Sequence, residues 1–162
     1  MAERKQKTML ISAAMILIAL VLWVACVLPS AEGKEGIKAA GLSIDPNAQN
    51  WNASIPSDGK SGIKIPGYGD IYFPADQQTV PITLYNPGEN DCLFAFSLYI
   101  NGQTSPCAKT ELIAPGTAVT QILLDDPLGA GEYDLEIKVD TFDGETIEPM
   151  NNAVVETKLI VQ

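Results

Sequence analysis

Residues 9–28 contain no charged side chain, and this run constrains the chain more than any other feature. Twenty helical residues span about 30 Å, close to the hydrocarbon thickness of a bilayer. Eleven of the twenty are Leu, Ile or Val. On an insertion scale they sum to about −3 to −7 kcal/mol, with no buried charge to offset them. A helix also satisfies its own backbone hydrogen bonds in lipid. The expectation is one transmembrane helix in contact with the bilayer, from Met9 through Leu17, Leu22 and Trp23 to Leu28. Arg4, Lys5 and Lys7 precede it against a single Glu3. The positive-inside rule then leaves the amino end in the cytoplasm and sends the carboxyl end out. Trp23 lies toward the outer end, where an aromatic ring settles near the headgroups.

Two rival readings compete with an intact anchor. A cleaved secretory signal has a shorter apolar core and small residues at an A-x-A-like site. Here Pro29 stands where a small residue is wanted. Trp23-Val24-Ala25-Cys26 resembles a bacterial lipobox, but tryptophan fits it poorly and apolar Val27 and Leu28 continue past the cysteine. Cys26 therefore reads as a small apolar residue within a helix, although lipidation and cleavage both stay open.

The remainder is acidic. From Ser30 onward there are seven lysines, no arginine and nineteen carboxylates, a net charge of −12. Such a head is a poor ligand for nucleic acid, because phosphate contacts need Lys or Arg. The plain meaning of the charge is solubility and self-repulsion at a surface. The chain has no histidine, which removes the commonest general base, Ser-His-Asp catalysis and most zinc sites.

Four segments follow in order. Residues 1–8 are a basic cytoplasmic tail and residues 9–28 the anchor. Residues 29–62 read as an extracytoplasmic stalk, rich in Gly, Pro, Ser and Asn without a sustained period. Leu42, Ile44 and Trp51 are too apolar for a pure linker, so a short docked strand or a partner-facing segment is expected within it. Residues 63–162 form the domain, where runs of strand-forming residues alternate with turn residues.

In that domain Ile63-Lys64-Ile65 and Ile71-Tyr72-Phe73 read as strands around a tight Gly-containing turn. Val80, Ile82 and Leu84 alternate with Pro81, Thr83 and Tyr85, and Pro81 suits an edge strand. Cys92, Phe94, Phe96, Leu98 and Ile100 share one strand face, with Leu93, Ala95 and Tyr99 apolar on the other, which marks a central strand. Asn101-Gly102 is the strongest hairpin signal. With a two-residue turn Ile100 pairs with Gln103, so Cys107 falls opposite Phe96. Cys92 is then about 13 Å away, four residues at 3.3 Å each, whereas bridged cysteines need Cα atoms within about 7 Å. A bulge at Pro106 could alter that register, so a Cys92–Cys107 disulfide is left open in a compartment that permits one.

Residues 117–124 give a further strand. Leu128-Gly129-Ala130-Gly131-Glu132-Tyr133 has the spacing of a tyrosine corner, with Leu128, Gly131 and Tyr133 as its key positions. Tyr133, Leu135, Ile137, Val139 and Thr141 then alternate with Glu132, Asp134, Glu136, Lys138 and Asp140, a core face and a wet face. Asp143-Gly144 closes that strand, a loop runs through Pro149 and Asn151, and Val155, Thr157, Leu159 and Val161 form the last strand. Seven short strands and a tyrosine corner argue for an all-β chain. The expected fold is an immunoglobulin- or fibronectin-like β-sandwich ectodomain preceded by one N-terminal transmembrane helix. A small open barrel is the runner-up.

Ile65-Pro66-Gly67-Tyr68, Leu84-Tyr85-Asn86-Pro87, Cys92-Leu93-Phe94, Ala114-Pro115-Gly116, Gly131-Glu132-Tyr133 and Pro149-Met150-Asn151 occur in that order. Together with the anchor they resemble small single-pass surface proteins of Gram-positive bacteria, often encoded near mobile elements. The resemblance spans residues 65–161 plus the anchor. It implies a β-sandwich outside the membrane and supplies no activity. The hairpin over residues 101–110 is longer than the usual pattern, which makes Cys107 peculiar to this chain.

Candidate sites are few. Asp140, Asp143 and Glu145 surround a glycine turn, yet lack the twelve-residue calcium pattern. Trp51, Tyr68, Tyr72, Tyr85 and Tyr99 could build a sugar- or peptide-binding platform, though aromatics in a sandwich more often pack. Asp125-Asp126 offers paired carboxylates, but Pro127 marks a turn. Asn52-Ala53-Ser54 matches a glycosylation acceptor, for which a polar bacterial loop is a sufficient account. The expectation is a non-enzymatic module without cofactor or metal, in the cell membrane, with a protein partner at the cell surface. Strand addition from the stalk into a surface assembly is the alternative, and a carbohydrate-binding module the second.

Overall fold

A computed structural model describes residues 41–53, 55 and 62–162. The expected tail, the anchor positions Met9, Leu17, Leu22, Trp23 and Leu28, and Cys26 lie outside the described residues. Among the described residues no helix is long and apolar enough to cross a membrane. All regular structure there is β, in eight strands: β1 (Gln49–Asn50), β2 (Ile71–Phe73), β3 (Thr79–Asn86), β4 (Cys92–Ile100), β5 (Ala108–Lys109), β6 (Thr117–Leu123), β7 (Gly131–Asp143) and β8 (Pro149–Val161). They form two sheets, one ordered β1-β6-β3 and the other β2-β8-β7-β4-β5.

The alternation of apolar residues explains how the sheets share a core. Val80, Ile82 and Leu84 of β3 and Val119 and Ile122 of β6 pack in one cluster with β4 and β7. From β4 come Phe94, Phe96 and Leu98; from β7 come Leu135, Ile137 and Val139. The odd residues of β7 point in and its even, mostly charged residues point out, as a period of two demands. Pro81 sits on β3, which among the described residues pairs only with β6 and so is an edge strand, where proline is tolerated.

β4 is covered on both faces. A second cluster of Leu93, Leu112 and Ile147, with Leu42, Ala95, Ala114 and Phe142 against it, covers the outward side of its first half. Ile147 adopts φ 59°, a left-handed conformation that a β-branched residue rarely takes. Its side chain is nonetheless buried in that cluster, so burial offsets the strain.

Several expected elements differ. Ile63-Lys64-Ile65 is not a strand. Its backbone pairs with a side chain instead: Lys64 N–H donates to Asn90 Oδ1 at 2.8 Å, and Asn90 Nδ2 donates to Lys64 O at 3.0 Å. Asn90 also donates to Asn86 Oδ1, while Asn86 Nδ2 donates to Cys92 O and Ile113 O. One buried amide pair thus ties four segments together. The last strand begins at Pro149, not beyond Asn151, because β7 pairs with it back to Phe142 opposite Pro149. Proline is tolerated at a strand's first residue.

Part of the expected stalk docks on the domain. Gln49 pairs with Ala118 and Asn50 with Thr117, and Trp51 N–H donates to Gly116 O. Ile44 bridges Leu112, with Leu112 N–H donating to Ser43 O and Asp45 N–H donating to Leu112 O. The Gln49 and Asn50 pairs cover the edge of β6 away from β3, and the other bonds tie the segment to Leu112 and Gly116 just before that strand.

Candidate functional site

The tyrosine-corner residues meet as their spacing requires. Tyr133 opens β7 and its Oη donates to Gly129 O at 2.8 Å, four residues upstream. A methyl group on Gly131 would stand 3.5 Å from the Tyr133 ring, in van der Waals contact, so the ring lies close to that backbone. Leu128 and Tyr133 are both partly buried against the main core.

The cysteine pair does not meet. Cys92 and Cys107 are free thiols, so the disulfide left open by the sequence is not formed. Asn101 and Gly102 do take positive φ of 51° and 67°, and Gln103 N–H donates to Ile100 O. The return strand then starts late, around Ser105 and Pro106, with Ala108 opposite Leu98 and Lys109 opposite Ser97. Cys107 N–H donates to Leu98 O at 2.8 Å, which sets Cys107 beside Leu98 instead of Phe96. Along β4 that is six residues from Cys92, about 20 Å at 3.3 Å each. Burial pushes both thiols up from the ordinary cysteine range, with Asp91 adding to the effect at Cys92.

The other candidates separate in the same way. Asp143 spends its carboxylate on its own turn: Oδ1 accepts from Glu145 N–H, Thr146 N–H and Thr146 Oγ1. Those bonds hold its carboxyl below the usual aspartate range. Among the described residues no group of three or more potential ligands could hold a metal ion. The five aromatic residues do not form one platform. Tyr85 lies on β3 and Tyr99 on β4, in different sheets, while Tyr68 is packed against the core. The Tyr68 hydroxyl is buried without a well-formed hydrogen bond, and burial pushes its phenol far up, partly countered by the Tyr85 backbone. Asp125 N–H donates to Cys107 O and its carbonyl accepts from Gln78, which fixes it as a turn residue. Ser54 of the acceptor triplet lies outside the described residues.

What the fold brings together is the outward face of the five-stranded sheet and the free side of β8. Across β4, β7 and β8 the register aligns Tyr99, Glu136 and Glu156 in one row, and Ser97, Lys138 and Val154 in the next. Glu136 and Glu156 are like charges directly opposite one another, an arrangement that destabilises a sheet. The lysines of β7 and β8 on this face are engaged, Lys158 with Asp134 and Lys138 with Asp140 at 2.9 Å, while a third, Lys109, lies on β5 opposite Ser97. The bonded carboxylate is the leading cause of the raised pKa of Lys138 and of Lys158. A groove beside them is lined by Tyr68, Asp70, Gly102, Glu136, Glu156 and Lys158.

β8 is paired with β7 along almost its whole length, but β2 reaches only Leu159, Ile160 and Val161 on the other side. Upstream, Thr157 Oγ1 donates to Gly69 O. Residues 149–156 border no strand on that side among the described residues. Met150 and Val154 are about half exposed there, at 48% and 51%. Sequence reasoning missed this feature by reading Pro149 and the asparagines as loop. Its available signal was the absence of charge from Pro149 to Val155 in so acidic a chain.

Comparison with protein-family models, with curated proteins and with solved structures finds no match.

Proposed function

We propose that this chain is a single-pass membrane protein that displays an immunoglobulin-like β-sandwich outside the cell as a non-catalytic binding or structural module. The kinship with small Gram-positive surface proteins belongs to the same proposal. Support comes from the uncharged run over residues 9–28 with its basic flank. The two sheets with a shared core, and the Tyr133 bond to Gly129, support the sandwich reading. The observation that carries the binding role is the open side of β8, a row of backbone groups available for pairing.

Assembly by strand addition from the stalk draws less support, because Leu42 and Ile44 lie against the chain's own Leu112 region. Protease shaving of washed cells tests the arrangement. Digestion of the head on intact cells is expected; a head that survives on washed cells and is lost only after breakage overturns the orientation.

A further inference from the structure

We propose that the open side of β8, from Asn152 to Glu156, receives an extended cationic segment of another protein, which joins the five-stranded sheet as an added strand. The inference rests on the binding-module reading and names its surface and the chemistry of its partner.

The direction of the backbone groups follows from the neighbouring pairing. Gln162 N–H donates to Phe73 O at 3.0 Å, and Gln162 O accepts from Ala75 N–H at 2.9 Å. Gln162 thus faces β2 with both groups. Successive residues of a strand face opposite sides, so Asn152, Val154 and Glu156 face the same way as Gln162. The register with β7 runs unbroken from Gly131 opposite Val161 to Asp140 opposite Asn152, so the alternation holds over that length. These residues therefore present N–H and C=O away from β7, where β2 does not reach.

The other sheet edges are blunted. β3 carries Pro81, β1 and β5 are two residues long, and β2 is three. Natural edges are protected in these ways, by brevity, proline or charge. Along β8 none of them applies between Asn151 and Val155.

Charge complementarity identifies the partner. Beside this edge the outward face of β7 and β8 carries Glu132, Asp134, Glu136, Asp140 and Glu156, and the two lysines of those strands, Lys138 and Lys158, are already ion-paired with Asp140 and Asp134. Glu136 and Glu156 repel across the β7–β8 pair, and a cationic side chain laid over them removes that repulsion. Val154 and Met150, exposed along the same strand, offer apolar contact to alternate residues of the incoming chain. A second copy of this chain fits less well, because each head brings the same excess of carboxylates to the seam.

The test uses the full chain in detergent micelles and two fluorescent eight-residue peptides, one alternating lysine with valine and one alternating glutamate with valine. The lysine peptide is expected to bind, more weakly as salt rises, and the glutamate peptide to fail. Val154→Pro removes an N–H on the open side while sparing the bonds to β7, and should weaken binding about tenfold or more. Glu156→Lys should weaken it by a similar factor. Hydrogen exchange on the unsubstituted protein gives an independent reading: the amides of Asn152, Val154 and Glu156 should slow when the lysine peptide binds. Unchanged exchange at those amides overturns the proposal. So does equal binding by a natively stable Val154→Pro, which means charge attraction without strand pairing. Concentration-dependent dimers abolished by Val154→Pro also overturn it, in favour of a second copy. A specific partner cross-linked on washed cells and undisturbed by Val154→Pro overturns this edge while leaving the binding module standing. An outer head protected from protease on washed cells removes the broader reading, whatever the peptides do.

Discussion

β4 and β8 lie in the same sheet, separated only by β7, and each contains a long run without charge. Their fates differ. β4 has Phe94, Phe96 and Leu98 in the main core on one face and Leu93 in the second cluster on the other. β8 begins with four exposed residues, and its Val154 is half exposed. An uncharged strand is therefore not by itself a buried one. Its place in the sheet, and what lies over its faces, decide whether lack of charge serves packing or leaves a surface open.

The contrast is breakable by substitution. Phe94→Ala should have the largest effect, because Phe94 is fully buried and meets Phe96 edge-on with ring centroids 6.0 Å apart. A loss of about 3–5 kcal/mol is expected in urea unfolding. Asn86→Ala comes next. It leaves Cys92 O without its amide donor in the interior and takes one of two donors from Ile113 O, which keeps Phe94 N–H, at about 1–3 kcal/mol. Should that substitution prove neutral, the amide pair is not what ties β4 to its surroundings. Tyr133→Phe removes one hydrogen bond to Gly129 and should lower stability by about 0.5–1.5 kcal/mol, read as a modest fall in Tm.

A smaller, local effect belongs to the tip of the β7–β8 hairpin. The folded Asp143 carboxyl is held below its ordinary range by the Glu145 and Thr146 N–H groups. A depressed carboxylate contributes stability above its unfolded pKa of about 3.9. That contribution is lost as pH falls through the lower folded value. Protection of the Glu145 and Thr146 amides, taken relative to their intrinsic exchange rates at each pH, should therefore fall on acidification before protection in β4 does. Val154→Ala should be the smallest of all, within about 0.5 kcal/mol in urea unfolding. A larger loss would mean that β8 is covered after all.

The sequence was most legible where a local pattern and tertiary position agree. β3, β4 and β7 follow their alternation, and the Asn101-Gly102 turn has its two positive φ values. Tyr133 could be read because its bond to Gly129 spans four residues. The parts that were not legible depend on partners far away in the chain. Gln49 pairs with Ala118, and nothing in the local composition of residues 41–53 points to residue 118. Ile63-Lys64-Ile65 has the residues of a strand but takes Asn90 as its partner, since a side-chain amide supplies the donor and acceptor of a neighbouring strand. The start of β8 was hidden by composition. Proline and asparagine are poor strand formers, yet a long antiparallel partner overrides that preference. The register slip before Ala108 had one local sign, Pro106, which donates no hydrogen bond and so cannot continue a ladder.

The docking of residues 42–51 on β6 alters what a single cut in the chain would accomplish. Trp51, Leu112 and Asp45 donate backbone bonds across that seam, and Leu42 is packed beneath it. Three such bonds together retain roughly 1.5–4.5 kcal/mol. A protease that severs the connection between Trp51 and Gly62 thus breaks the covalent thread while the severed piece stays clasped. Separation of the two pieces would then lag behind the nick, at a pace set by unfastening and not by hydrolysis.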